Sequence, residues 1–177
     1  MLRMLSRLND TIKTVEKYLL AYGVISLAVI TIGNVISRKA FNYSWSFAEE
    51  ISQFILVIIT FMGISYAARK SRHIRMTAFY EMVNDRVKKI LMIIISLVTM
   101  IILFYLSYYA LLFILKIQSY GRVTPALRLP FYIVIMWAPV GLFLGGIQYL
   151  LSLIKNLTHK DVWLSSEEKS EYKNLPE

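Results

Sequence analysis

The chain contains no cysteine, only two histidines, four prolines and seven glycines in 177 residues. Without cysteine there is no disulfide framework, thiolate nucleophile, Cys-ligated metal or dithiol relay to quinone. The two histidines, His73 and His159, lie in polar segments. This chain therefore cannot by itself offer two axial ligands to a haem at membrane depth. So little glycine and proline excludes collagen-like or linker-like character. With charged residues at 18% and hydrophobic ones at 57%, disorder is excluded as well. Gly-rich phosphate loops, His-Glu-x-x-His and Gly-x-Ser-x-Gly are likewise missing. Glu49 and Glu50 are adjacent and so point about 100° apart on a helix, which is not how a catalytic carboxylate pair is set. No catalytic residue, metal site or cofactor is expected, and the chain reads as a non-enzyme.

What the sequence does have is long stretches free of Asp, Glu, Lys and Arg. Four are long enough to cross a hydrocarbon core of about 30 Å as helices: residues 18–37, 51–68, 90–115 and 129–154. Runs such as residues 90–95 are apolar without alternation, which excludes a transmembrane barrel. The first stretch is too long for a signal-peptide core, and no Ala-x-Ala site follows it. The fold class is thus an all-α integral membrane protein, one membrane domain over residues 1–177 with four transmembrane helices.

Between the second and third runs, Met76, Phe79, Tyr80, Val83, Val87 and Ile90 recur at helical spacing, with Glu81, Asp85, Arg86 and Lys89 elsewhere around the turn. This predicts an interfacial amphipathic helix over residues 76–89, its apolar face toward lipid or toward a partner protein. Residues 156–177 form a polar tail of mixed charge in which Trp163 is a candidate interfacial anchor.

The net charge of +9 comes from basic residues set between the apolar runs, so the anionic partner is the membrane surface and not nucleic acid. Fifteen Lys and Arg flank one side of the predicted membrane and five the other. The excess places the N and C termini in the cytoplasm of a multi-pass inner-membrane protein.

None of the four runs carries an ionisable side chain of the kind that binds an ion or relays a proton at depth. Polar residues inside them, such as Ser26, Thr60, Ser96 and Gln148, are expected to bond to helix backbone or to neighbouring helices. Gly63-x-x-x-Ala67 and Gly141-x-x-x-Gly145 allow close helix approach, and Pro139 predicts a bend in the fourth helix. Glu49 and Glu50 open the second helix, where carboxylates complement its dipole. Either could pair with Arg38 or remain solvated.

Three segments resemble the small membrane subunit (DctQ-type) of tripartite ATP-independent periplasmic, or TRAP, transporters. The first runs from Asn34 through Arg38, Phe41, Asn42, Ser44 and Trp45 to Glu49 and Glu50. The second joins Thr60, Gly63, Tyr66 and Ala67 to His73, Ile74 and Arg75. The third is Gly121 to Pro130, including Thr124 and Pro125, with Pro139 and Gly141 in the helix that follows. Met76 and Thr77 stand where many such chains have an acidic residue, and Phe47 stands where many have Trp.

The resemblance implies a structural role for Arg38, Phe41, Asn42, Ser44, Trp45, Glu49, Glu50, Gly63, Ala67, His73, Thr124, Pro125, Pro139, Gly141 and Gly145. It also implies docking on a large (DctM-type) membrane subunit that carries the solute and sodium sites, and a periplasmic substrate-binding protein that delivers an organic acid. N-acetylneuraminate, a sialic acid, is the favoured solute. Two other classes compete: a membrane-anchor subunit of a respiratory redox enzyme, and a self-sufficient small transporter acting as an oligomer. The first lacks haem ligands and the second lacks a buried ion site.

Overall fold

The computed structural model describes residues 2–70, 84–158, 163 and 165, with side chains from residue 11 onward except at residue 85. It is all-helical in its regular structure: α1 (Leu2–Phe41), α2 (Ala48–Arg69), α3 (Asp85–Ser119), α4 (Phe131–Ile135) and α5 (Trp137–Thr158). Four spans are long and apolar enough to cross a membrane, Thr11–Phe41, Ala48–Arg69, Arg86–Ser119 and Phe131–Thr158. Each outruns the charge-free stretch that predicted it, because Lys, Arg and Glu are good helix formers and a charge does not by itself stop a helix.

What stops α1 is Asn42, whose φ of +51° is the left-handed turn-off that asparagine tolerates after a helix. The predicted bend in the fourth span is a break at Met136, between α4 and α5. Pro139 lies three residues past it and has no N–H to offer. Its ring also crowds the carbonyl four residues back, that of Ile135, so the helix ends at Ile135 and restarts at Trp137.

Residues 76–83 of the predicted interfacial helix lie outside the described residues. Residues 85–89 belong to the start of α3, so that part of the segment continues directly into a spanning helix.

The chain divides into two units, Met1–Gly63 with Tyr108–Gly141, and Ile64–Ser107 with Leu142–Glu177. In the first, α1 lies on α2 through Gly23, where an added methyl would come within 2.9 Å of the Ile59 side chain. The same unit brings α2 and α5 into backbone contact at Gly141. A Cβ there would overlap the carbonyl carbon and oxygen of Phe61. Gly63, by contrast, has only ordinary contact, with Leu20 at 3.7 Å, and Ala67 is half-buried. The two small-residue spacings are therefore not equivalent: the one on α5 meets backbone and the one on α2 does not.

In the second unit Gly145 faces Ile64 and Leu103, while Gly146 lies under the Phe104 ring, which is tilted against Phe143 at 5.5 Å. Met92, Leu103, Leu142 and Leu153 complete its apolar interior. Across the four spans α1 is the least enclosed and α5 the most. Large apolar side chains such as Ile25, Val29 and Ile32 on α1 are exposed, as a lipid-facing surface requires.

Candidate functional site

Most of the sequence-predicted positions gather in the first unit, at the α1–α2 corner and in the loop before α4. At the corner the chain must reverse within six residues, 42–47. Two side chains from the last turns of α1 hold it. The Asn34 side-chain Oδ1 accepts the Trp45 N–H at 2.8 Å, and the Ser37 hydroxyl donates to the Tyr43 backbone carbonyl at 2.8 Å. Trp45 then lays its ring on Gly33, whose missing side chain makes room for it, and stacks on Phe47 with centroids 5.9 Å apart and planes 7° from parallel. The Ala48 N–H donates to the Trp45 carbonyl at 3.0 Å and starts α2. An aromatic Phe47 thus preserves ring stacking at this position.

Glu50 is the pivot of the site. Its carboxylate is 8% exposed and reaches across to the loop before α4. There Oε1 accepts the Ala126 N–H at 2.5 Å and Oε2 accepts the Leu127 N–H at 2.9 Å. The Thr124 hydroxyl also bonds to Glu50, and its oxygen accepts the Leu129 N–H at 3.1 Å, which explains why Thr124 is buried.

The loop is built to offer those two amides. Gly121 turns the chain out of α3 at φ +58°. Antiparallel bonds then join its two ends, Thr124 N–H to the Leu129 carbonyl at 2.9 Å and Phe131 N–H to the Arg122 carbonyl at 2.9 Å. Between them Thr124, Pro125, Ala126 and Leu127 make one tight turn, closed by the Arg128 N–H on the Thr124 carbonyl at 3.1 Å. Proline at 125 fits the start of such a turn, and the residues after it expose successive N–H groups on one side. Arg122 lies over the Phe131 ring at 4.5 Å.

The arrangement corrects one expectation. Glu50 pairs with backbone amides and a hydroxyl of the third loop, not with Arg38. Arg38 and Glu49 are exposed, and neither makes an ion pair among the described residues. Phe41, Asn42 and Ser44 are exposed at the corner, Pro125 is exposed in the loop, and Pro139, Gly141 and Gly145 are buried within α5. His73 lies outside the described residues.

Reading the sequence missed other enclosed polar groups. Glu16 in the first unit is 2% exposed and Arg69 in the second 0%. Both sit just beyond the charge-free runs, where a solvated flank is the ordinary expectation. Trp163 is held by the protein itself: the Asn156 amide accepts its N–H at 3.0 Å and donates to its carbonyl at 2.8 Å, and Lys155 Nζ lies 4.1 Å from its ring centroid. Among the described residues no group of three His, Cys, Asp or Glu could hold a metal ion.

Four helical spans apolar enough to cross a membrane, with the buried Glu50 carboxylate bonded to the chain's own backbone, define a multi-span membrane protein. Residues 27–159 match the DctQ component of tripartite ATP-independent periplasmic transporters, and the chain belongs to that family. It is similar to the ectoine TRAP transporter small permease protein TeaB of Halomonas elongata, with 42% identity over 170 residues, covering 96% of this chain and 88% of that protein. It is a small permease subunit of a TRAP transporter and not an enzyme.

Proposed function

We propose that this subunit is the fixed part of a binding-protein-dependent transporter in the inner membrane. It docks on a large membrane subunit that moves the solute, and a periplasmic binding protein delivers that solute. The observation that carries this reading is how Glu50 is spent. It is the carboxylate best placed at a helix end to meet an ion or a solute, and both its oxygens already bind the chain's own backbone. Nor does any of the four charge-free runs hold an ionisable group, so ion coupling, by sodium in this proposal, resides in the large subunit.

The distribution of Lys and Arg supports cytoplasmic termini, which puts the Glu50 clamp on the periplasmic side. The redox-anchor alternative has no haem ligands to support it. The solute is an organic acid or zwitterion. Similarity to a small permease named for ectoine favours a compact solute of that kind over N-acetylneuraminate.

Reconstitution in liposomes tests the reading. The large subunit, the binding protein and a sodium gradient are supplied with or without this chain, and labelled ectoine and N-acetylneuraminate are offered separately. Uptake should require this subunit, should be absent with this subunit alone, and should favour ectoine. Uptake of either solute by this chain by itself would overturn the scaffold role.

A further inference from the structure

The second unit has a polar interior that the loop clamp does not use. On α5, Gln148, Ser152 and Asn156 recur every fourth residue and are each no more than 3% exposed, so one enclosed stripe of that helix is polar. α3 contributes Ser96, 1% exposed. Serine in a spanning helix ordinarily returns its hydroxyl to a carbonyl one turn back. Near the end of α5, Thr158 does this on the Ile154 carbonyl at 2.8 Å. Ser96 and Ser152 do not: both hydroxyl oxygens are fully buried and have no hydrogen-bond partner among the described residues.

The two serines lie at matching register positions on the two helices. The early part of α3 and the late part of α5 share this unit, so the helices run in opposite directions through it. Leu103 on α3 meets Gly145 on α5, its Cδ1 3.4 Å from where a Cβ would stand. Seven residues toward the start of α3 from Leu103 is Ser96, and seven toward the end of α5 from Gly145 is Ser152. Seven residues is two helical turns to within about 20° and advances about 10.5 Å. The same contact line, one step further along, therefore reaches Ser96 on one helix and Ser152 on the other.

We propose that Ser96 and Ser152 together hold one buried water molecule between α3 and α5. A buried hydroxyl without a partner is costly, and apolar neighbours cannot relieve it. Buried waters occur where two or more such groups converge. Two neutral hydroxyls suit a neutral single-oxygen ligand. The water ties the helices at a level where both present serine instead of an apolar side chain. This inference stands independently of the transported solute and of the docking partner.

Thermal unfolding of the full-length chain in detergent tests it with Ser96→Ala, Ser152→Ala and the double variant. Each single change removes one anchor of the same water, so each should lower the melting temperature by about 2–4 °C, and the double variant should melt no lower than the worse single. Changes that simply add, of either sign, or no change at all, would overturn the proposal, because hydroxyls without a shared ligand act separately. A water-resolving density map of the wild-type chain separates the remaining case. A peak about 2.8 Å from both Oγ atoms supports the site, and the two Oγ atoms in direct contact with no peak between them refute it.

Discussion

Glu50 and Glu49 are neighbours in sequence and opposites in environment, one clamped on Ala126 and Leu127 and the other exposed. Glu50→Gln keeps one acceptor but turns an NH2 toward backbone donors, so it should lower the melting temperature of the chain. Glu50→Lys should lower it further, while Glu49→Gln and Arg38→Ala should leave it nearly unchanged in the same thermal scan. A large loss in Arg38→Ala would restore the ion-pair reading. The place of residue 50 at a helix start was legible in the sequence. Its partner was not, because two backbone amides 76 and 77 residues away carry no side-chain signature. Asn156 shows the same limit at the other end. Its buried amide brackets the backbone of Trp163, which any residue could supply. Asn156→Ala would remove both of those hydrogen bonds, at a cost of about 1–3 kcal/mol. Limited proteolysis should then cut beyond α5 faster than in the wild type.

Glycines that look alike in sequence separate once the helices are packed. Gly141→Ala puts a methyl into the Phe61 backbone, which cannot move aside as a side-chain tip can. Overpacking of this kind costs typically about 1–3 kcal/mol, or roughly 2–12 °C in melting temperature at this chain length. Gly63→Ala meets only Leu20 at 3.7 Å and should be tolerated, even slightly favourable, since alanine is the better helix former. Equal losses from both changes, measured by thermal unfolding in detergent, would contradict the packing. The helices themselves were readable from uninterrupted apolar length. Their ends were not, because they depend on local devices: the left-handed Asn42 after α1, and the Pro139 ring against Ile135 before α5.

For the whole molecule the testable quantity is sidedness. In a chain free of cysteine, Ser44→Cys or Arg122→Cys introduces one thiol on the side that the Lys and Arg count assigns to the periplasm, and Ser166→Cys introduces one in the tail that it assigns to the cytoplasm. Ser44 is exposed and lies outside the strained Asn42 position, so it should accept the change without disturbing the turn. An impermeant thiol reagent should label the first two in intact cells and the third only after permeabilisation. The reverse pattern would invert the topology drawn from the Lys and Arg count.

The short α2 carries one more consequence. Its charge-free stretch, residues 51–68, is fenced by Glu50 and Arg69, both enclosed by protein and so not free to slide along the bilayer normal. Eighteen helical residues rise about 27 Å, while α1 and α3 are long enough to lean in a bilayer of almost any depth. The hydrophobic thickness this subunit demands is thus set by one helix. Lipids with much longer acyl chains would be mismatched to it, and its assembly should be sensitive to chain length before it is sensitive to headgroup.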